Sequence, residues 1–138
     1  MAGVLIADDH APTRAQIRGL LESRCILVCG EAADGEETLA KLKQLDPSIV
    51  LLDVYMPKLN GFAAAREIRR IAPATNIIFF TNHDGGRRST AVARALGAIA
   101  WIDKGTGAQE FLVVVESCLP RAHDADRAAE RPITEPKT

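Results

Sequence analysis

The chain has 138 residues, 47% of them hydrophobic and 25% charged, the balance of one globular domain with a core of its own. Its 17 basic side chains stand against 18 acidic ones, so a net charge of −1 offers no basic footprint for a nucleic acid. No apolar run approaches the ~20 residues that cross a bilayer, and the N-terminus lacks the charged and apolar regions of a secretory leader, so a cytoplasmic protein without a membrane or nucleic-acid partner is expected.

The first apolar run, Val4–Ala7, is short and continuous, as in a strand buried on both faces. Ile17, Leu20 and Leu21 then recur at helical spacing. A second run, Ile26–Cys29, precedes a helix carrying Leu39, Leu42 and Leu45 and stopped by Asp46-Pro47. The third run, Ile49–Leu52, leads to a helix with Ala65, Ile68 and Ile71 that ends before Pro73. The fourth, Ile77–Phe80, leads to Val92, Ala95 and Leu96, with Gly97 as the stop. Gly85-Gly86 should weaken the start of that fourth helix by roughly 1 kcal/mol per glycine and leave it mobile. The fifth run, Ile99–Ile102, is followed by Leu112, Val115 and Leu119 and by Pro120. Residues 121–138 hold Ile133 as their single large apolar residue, and are expected to be a disordered tail or linker after a domain over 1–120. Cys25, Cys29 and Cys118, odd in number, argue against a disulfide framework and are expected to be small buried hydrophobes.

Five strand–helix alternations require right-handed crossovers and hence a parallel sheet covered on both sides. The expected architecture is α/β, a doubly wound five-stranded sheet in the flavodoxin-like order 2-1-3-4-5. In such sheets ligands bind beyond the carboxyl ends of the strands, at the point where strand order reverses. The residues at those ends are Asp8-Asp9 after the first strand, Asp53 after the third, Thr81 after the fourth and Lys104 after the fifth. Three crowded carboxylates repel unless protonated or neutralised, and hard oxygen donors suit Mg²⁺ or Mn²⁺. A cation, an ammonium and a hydroxyl around one carboxylate make a site for a transferred phosphoryl group, which needs positioning and charge neutralisation.

Taken together, Asp8-Asp9, the stretch Leu51-Leu52-Asp53-Val54-Tyr55-Met56-Pro57-Lys58-Leu59-Asn60-Gly61, Thr81, and Gly97-Ala98 ahead of Trp101-Ile102-Asp103-Lys104 resemble the receiver domains of two-component response regulators. The resemblance covers about residues 3–119, and Lys104-Gly105 with His10 is similar to the NarL/FixJ-type branch of these CheY-like domains. It implies that Asp53 is the phosphoacceptor, fed by a histidine kinase or a histidine phosphotransfer protein. It implies that Asp9, Asp53 and the backbone carbonyl of Tyr55 hold Mg²⁺, with Asp8 acting through water. Lys104 and Thr81 would contact phosphoryl oxygens, and Trp101 would change position as Thr81 moves. Output would run through helix 4, strand 5 and helix 5, to a downstream protein or a second copy in a homodimer. The run Phe111–Val115 exceeds the stripe that one buried helix face needs, so Val113 or Val114 should face outward. His83 and Arg87-Arg88 are read as solvated, with a docking role as the alternative for the arginines. Such a domain is no enzyme beyond its own phosphorylation and dephosphorylation. Asn82 stands where the family has a small residue, which leaves a phosphorylation-independent interaction module as the alternative. A haloacid-dehalogenase-like phosphatase would need a second acid at Tyr55, and a flavodoxin-like cofactor site would need a phosphate-cradling loop in place of Asp8-Asp9.

Overall fold

The computed structural model describes residues 3–82 and 87–120, without the side chains of 87–89. Strands and helices alternate: β1 (Val4–Ala7), α1 (Ala11–Ser23), β2 (Val28–Ala32), α2 (Gly35–Leu45), β3 (Ile49–Leu52), α3 (Gly61–Ile71), β4 (Asn76–Thr81), α4 (Arg87–Ala95), β5 (Ala98–Asp103) and α5 (Ala108–Cys118). The five strands pair in parallel in the order β2-β1-β3-β4-β5. Successive side chains of a strand point to opposite faces. Leu5, Ala7, Val50, Leu52, Ile77 and Phe79 therefore pack against Leu42 of α2 and against Ala65 and Ile68 of α3. Val4, Ile6, Ile49, Leu51 and Ile78 meet Ile17 and Leu21 of α1 and Phe111, Leu112 and Val115 of α5 on the other face.

Local chemistry sets the helix starts. Asp34 accepts from Glu37 N–H at 2.8 Å, and Glu37 reaches back to Ala33 N–H at 2.7 Å, a reciprocal cap for α2. Asn60 caps α3 through Ala63 N–H at 2.9 Å. Gly97 ends the α4 turn with a φ of 90°, and a Cβ there would run into the Arg69 side chain.

Three sequence expectations are corrected. The second strand lies at Val28–Ala32 rather than Ile26–Cys29, because pairing with β1 begins at Val28; of the two residues ahead of it Ile26 is buried and Leu27 exposed, so the apolar run does not track the ladder. At this sheet edge Gly30 and Glu31 pair with Leu5 and Ile6 although neither is apolar. The fourth helix buries Ala93 rather than Val92 or Ala95, both of which are exposed; Leu96, beyond the helix, is partly buried. The cysteines are free, but none is buried: Cys25 is exposed in a positive-φ turn, and Cys29 and Cys118 are partly exposed. Strands β1 and β3 keep their expected limits, β4 and β5 each extend one residue at both ends, and Val113 of α5 is 58% exposed, as the apolar excess there requires. The expectations for His83, Gly85-Gly86, the Arg87-Arg88 side chains and the 121–138 tail lie outside the described residues. No helix among the described residues is long and apolar enough to cross a membrane.

Candidate functional site at the carboxyl edge of the sheet

Backbone pairing continues past the strand ends and delivers the polar residues to one place. Asp8 N–H donates to Ala32 O at 3.0 Å, Asp53 N–H to Ala7 O at 3.0 Å, and Lys104 N–H to Thr81 O at 2.9 Å. Carboxylate oxygens of Asp8, Asp9 and Asp53 then lie within 4.8 Å of one another. Asp8 and Asp53 are buried while Asp9 is exposed. Lys104 Nζ sits 2.5 Å from Asp8 Oδ2 and 3.3 Å from Asp53 Oδ2, with the Phe80 ring centroid 5.9 Å away. The buried Thr81 hydroxyl hydrogen-bonds the Asp53 carboxylate, whose Oδ1 also accepts from Tyr55 N–H at 3.3 Å.

The electrostatics follow from this crowding. Burial lifts the Asp53 carboxyl above its ordinary range, and the charge of Asp8 adds to the lift; Lys104 and the Thr81 hydroxyl pull the other way without cancelling it. Burial by itself would lower the Lys104 ammonium, but its bond to Asp8 and the charges of Asp53 and Asp8 hold it above the usual lysine range.

A pocket of about 400 Å³ opens over Asp53, walled by Asp9, Tyr55, Thr81, Asn82 and Lys104, with His10 and Thr13 at the α1 side. His10 N–H donates to Asp8 Oδ1 at 2.9 Å and its ring lies 2.7 Å from Thr13 Oγ1, so His10 belongs to the loop that holds Asp8. Trp101 stands apart from the pocket. Its ring packs 5.6 Å from that of Phe79 and 6.4 Å from that of Phe62, and its buried indole N–H has no hydrogen-bond partner among the described residues.

Gly61 is a structural requirement of the site that the motif match left unexplained. A Cβ on it would overlap the Asp53 carbonyl oxygen and come within 2.8 Å of Val54 Cα, so α3 reaches the β3 end only through glycine. Arg14 and Glu31 escaped the sequence reading altogether. Their pairing at 3.0 Å joins residues 17 apart in the chain, which no local spacing announces.

Comparison with known proteins agrees with this geometry. A family model described as response regulator receiver domain matches residues 4–116. A protein-glutamate methylesterase/protein-glutamine glutaminase of Symbiobacterium thermophilum is 39% identical over 75% of this chain and 29% of its own length. The response regulator UvrY of Escherichia coli is 36% identical over 85% of this chain and 54% of its own length. This chain thus spans between about a third and a half of those curated relatives. Among solved structures, CheY in a CheX-CheY-BeF3-Mg²⁺ complex from Borrelia burgdorferi superposes with a TM-score of 0.80 at 29% identity, covering 84% of this chain and 87% of that one. The receiver domain of the putative regulator NarL from Mycobacterium tuberculosis gives 0.76 at 30% identity, covering 83% and 93%. A family match spanning nearly all of the described residues, on a sheet of the same order, settles membership: the chain belongs to the response regulator receiver domains.

Proposed function

We propose that this chain receives a phosphoryl group on Asp53 from the phosphohistidine of a kinase or phosphotransfer protein. The observation that carries the reading is the Asp53 carboxylate, 5% exposed, ringed by the Lys104 ammonium, the Thr81 hydroxyl and two further carboxylates. An Asp53 oxygen would attack phosphorus, the P–N bond would break, and the imidazole would leave with the electron pair and take up a proton. Positioning and neutralisation of the equatorial oxygens are the protein's main tasks in such a transfer. Lys104 and Thr81, which both contact the Asp53 carboxylate, would meet those oxygens.

The donor set fits a divalent cation. Three carboxylates with hard oxygens within 4.8 Å face one ammonium, a local deficit of two positive charges. Asp8, Asp9 and Asp53, with the carbonyl of Tyr55, would hold Mg²⁺ or Mn²⁺, which when bound supplies further charge neutralisation at the phosphoryl oxygens. The Mg²⁺ and BeF3 named for the Borrelia burgdorferi CheY complex support the same chemistry here. The chain acts as a signalling receiver, not on other substrates. Its output surface is α4, β5 and α5, where Val92, Ile99 and Val113 are large exposed apolar residues fit for a downstream protein or a second copy.

Acetyl phosphate with Mg²⁺ should add one phosphoryl group to the wild-type chain, seen by intact mass, and none to Asp53→Ala. Trp101, the single tryptophan, should report the change by fluorescence. No mass gain in the wild type, or an equal gain in Asp53→Ala, overturns the proposal. The first of these outcomes would favour the phosphorylation-independent module, which the placement of the bulkier Asn82 on the pocket wall supports.

A further inference from the structure

Asp9 is the exposed member of the acid cluster, and no hydrogen bond or ion pair among the described residues fixes its side chain. Its placement therefore depends on the peptide that joins it to Asp8. The Asp8 end of that peptide is held with care. The Asp8 carbonyl oxygen accepts from Arg14 Nη1 at 2.6 Å. Arg14 extends from the first turn of α1 and is itself clamped: its Nε donates to Glu31 Oε1 at 3.0 Å, and its side chain is 17% exposed. Glu31 is fixed in turn, because Arg18 Nε donates to Oε2 at 2.7 Å and Lys41 Nζ donates to the Glu31 carbonyl. A planar guanidinium with one edge on a carboxylate and another on a carbonyl has little freedom left.

We propose that Arg14 is a positioning residue for the acid cluster: held by Glu31, it fixes the Asp8–Asp9 peptide and so places the Asp9 carboxylate beside Asp8 and Asp53. This deepens the metal-dependent reading above and rests on it. Groups that orient metal ligands from behind typically change affinity 10–100-fold when removed.

The sign of the effect separates this role from bulk electrostatics. Deleting a positive charge near three carboxylates would by itself strengthen cation binding. Loss of position would weaken it. Mn²⁺ binding to the full chain, followed by electron paramagnetic resonance of the free ion, should be about ten-fold weaker in Arg14→Met. Arg18→Met removes an arginine from the same glutamate without touching Asp8, and should stay within about two-fold of wild type. If Arg14→Met fails to fold, Arg14→Lys keeps the positive charge but gives up the fork that joins Glu31 to the Asp8 carbonyl, and should weaken Mn²⁺ binding in the same direction. Unchanged or tighter binding in a folded Arg14→Met, or unchanged binding in Arg14→Lys where that variant stands in, overturns the positioning role. Loss in Arg18→Met equal to that in Arg14→Met also overturns it. Wild type that takes up no Mn²⁺ overturns this role together with the metal reading, so the two failures are distinguishable.

Discussion

Replacing Lys104 by Met tests how the acid cluster is balanced. Lys104 Nζ lies 3.3 Å from Asp53 and 2.5 Å from Asp8. At an effective dielectric constant of about 20, unit charges at the longer distance attract by about 5 kcal/mol, a gain largely offset by the cost of burying the ammonium. The variant escapes that burial cost but leaves Asp8 and Asp53 facing each other, with oxygens within 4.8 Å. Their repulsion at the same dielectric constant is at least about 3.5 kcal/mol. A second limit bounds the loss. One carboxyl can take up a proton, which at pH 7 costs about 4 kcal/mol from an ordinary carboxyl pKa and at pH 5 only about 1.5 kcal/mol. Lys104→Met should therefore lose about 3–4 kcal/mol at pH 7 without divalent metal, and under about 2 kcal/mol at pH 5. Urea unfolding in EDTA at both pH values, read by Trp101 fluorescence, measures the difference. A loss below about 1 kcal/mol at pH 7, or one that does not shrink at pH 5, refutes the reasoning.

Asp53→Asn should behave in the opposite sense. The folded chain holds the Asp53 proton more tightly than the unfolded chain does, so stability from this group is fully present below the unfolded pKa and is lost as pH rises through the folded one. The variant should be more stable than metal-free wild type at pH 7, with the gain fading toward pH 4; a gain equal at both pH values in urea melts would contradict this. Gly61→Ala should cost at least about 2 kcal/mol in the same melts, since its Cβ meets backbone of Asp53 and Val54 rather than a flexible side chain; a smaller loss would show that α3 can retreat. Val113→Asp should change the melt by under about 0.5 kcal/mol while weakening any self-association or partner binding measured by sedimentation; a large loss of stability would place Val113 in the core instead.

The sequence made the site legible where one residue type at one strand end carries the chemistry. Asp8, Asp9, Asp53, Thr81 and Lys104 all arrive at one edge; the runs before Asp8 and Asp53 are buried on both faces and cannot slip without exposing their side chains, and parallel pairing with them sets β4 and β5. Legibility fails where burial and pairing part company. At the edge strand, Glu31 is in the ladder because Arg14 and Arg18 satisfy its charge across from α1, and such long-range pairing leaves no periodic trace. In α4, the apolar residues Val92 and Ala95 suggested an inward stripe, yet the small Ala93 is what packs on the sheet. A short helix with few large apolar residues has too little contrast between its faces for periodicity to fix the rotation.

The surroundings of Asp53 are opposed on whether it should carry a charge, and that opposition suits the proposed chemistry. With burial alone the carboxyl would hold its proton and could not attack; with Lys104 wholly its own, the carboxylate would be stabilised and a poorer nucleophile. Asp8 takes the shorter contact to Lys104, 2.5 Å against 3.3 Å, which leaves Asp53 under-compensated. A phosphoryl group on Asp53 would bring new oxygens to the face where Lys104 and Thr81 stand, and the Thr81 hydroxyl could not serve both the old carboxylate and the new oxygens equally. Thr81 closes β4, and Phe79 two residues earlier packs against Trp101. The indole N–H that is buried without a partner among the described residues would gain one from water by moving outward. On the proposed chemistry, a small shift of Thr81 toward the phosphoryl group would act on a ring that now sits with one hydrogen bond unmade.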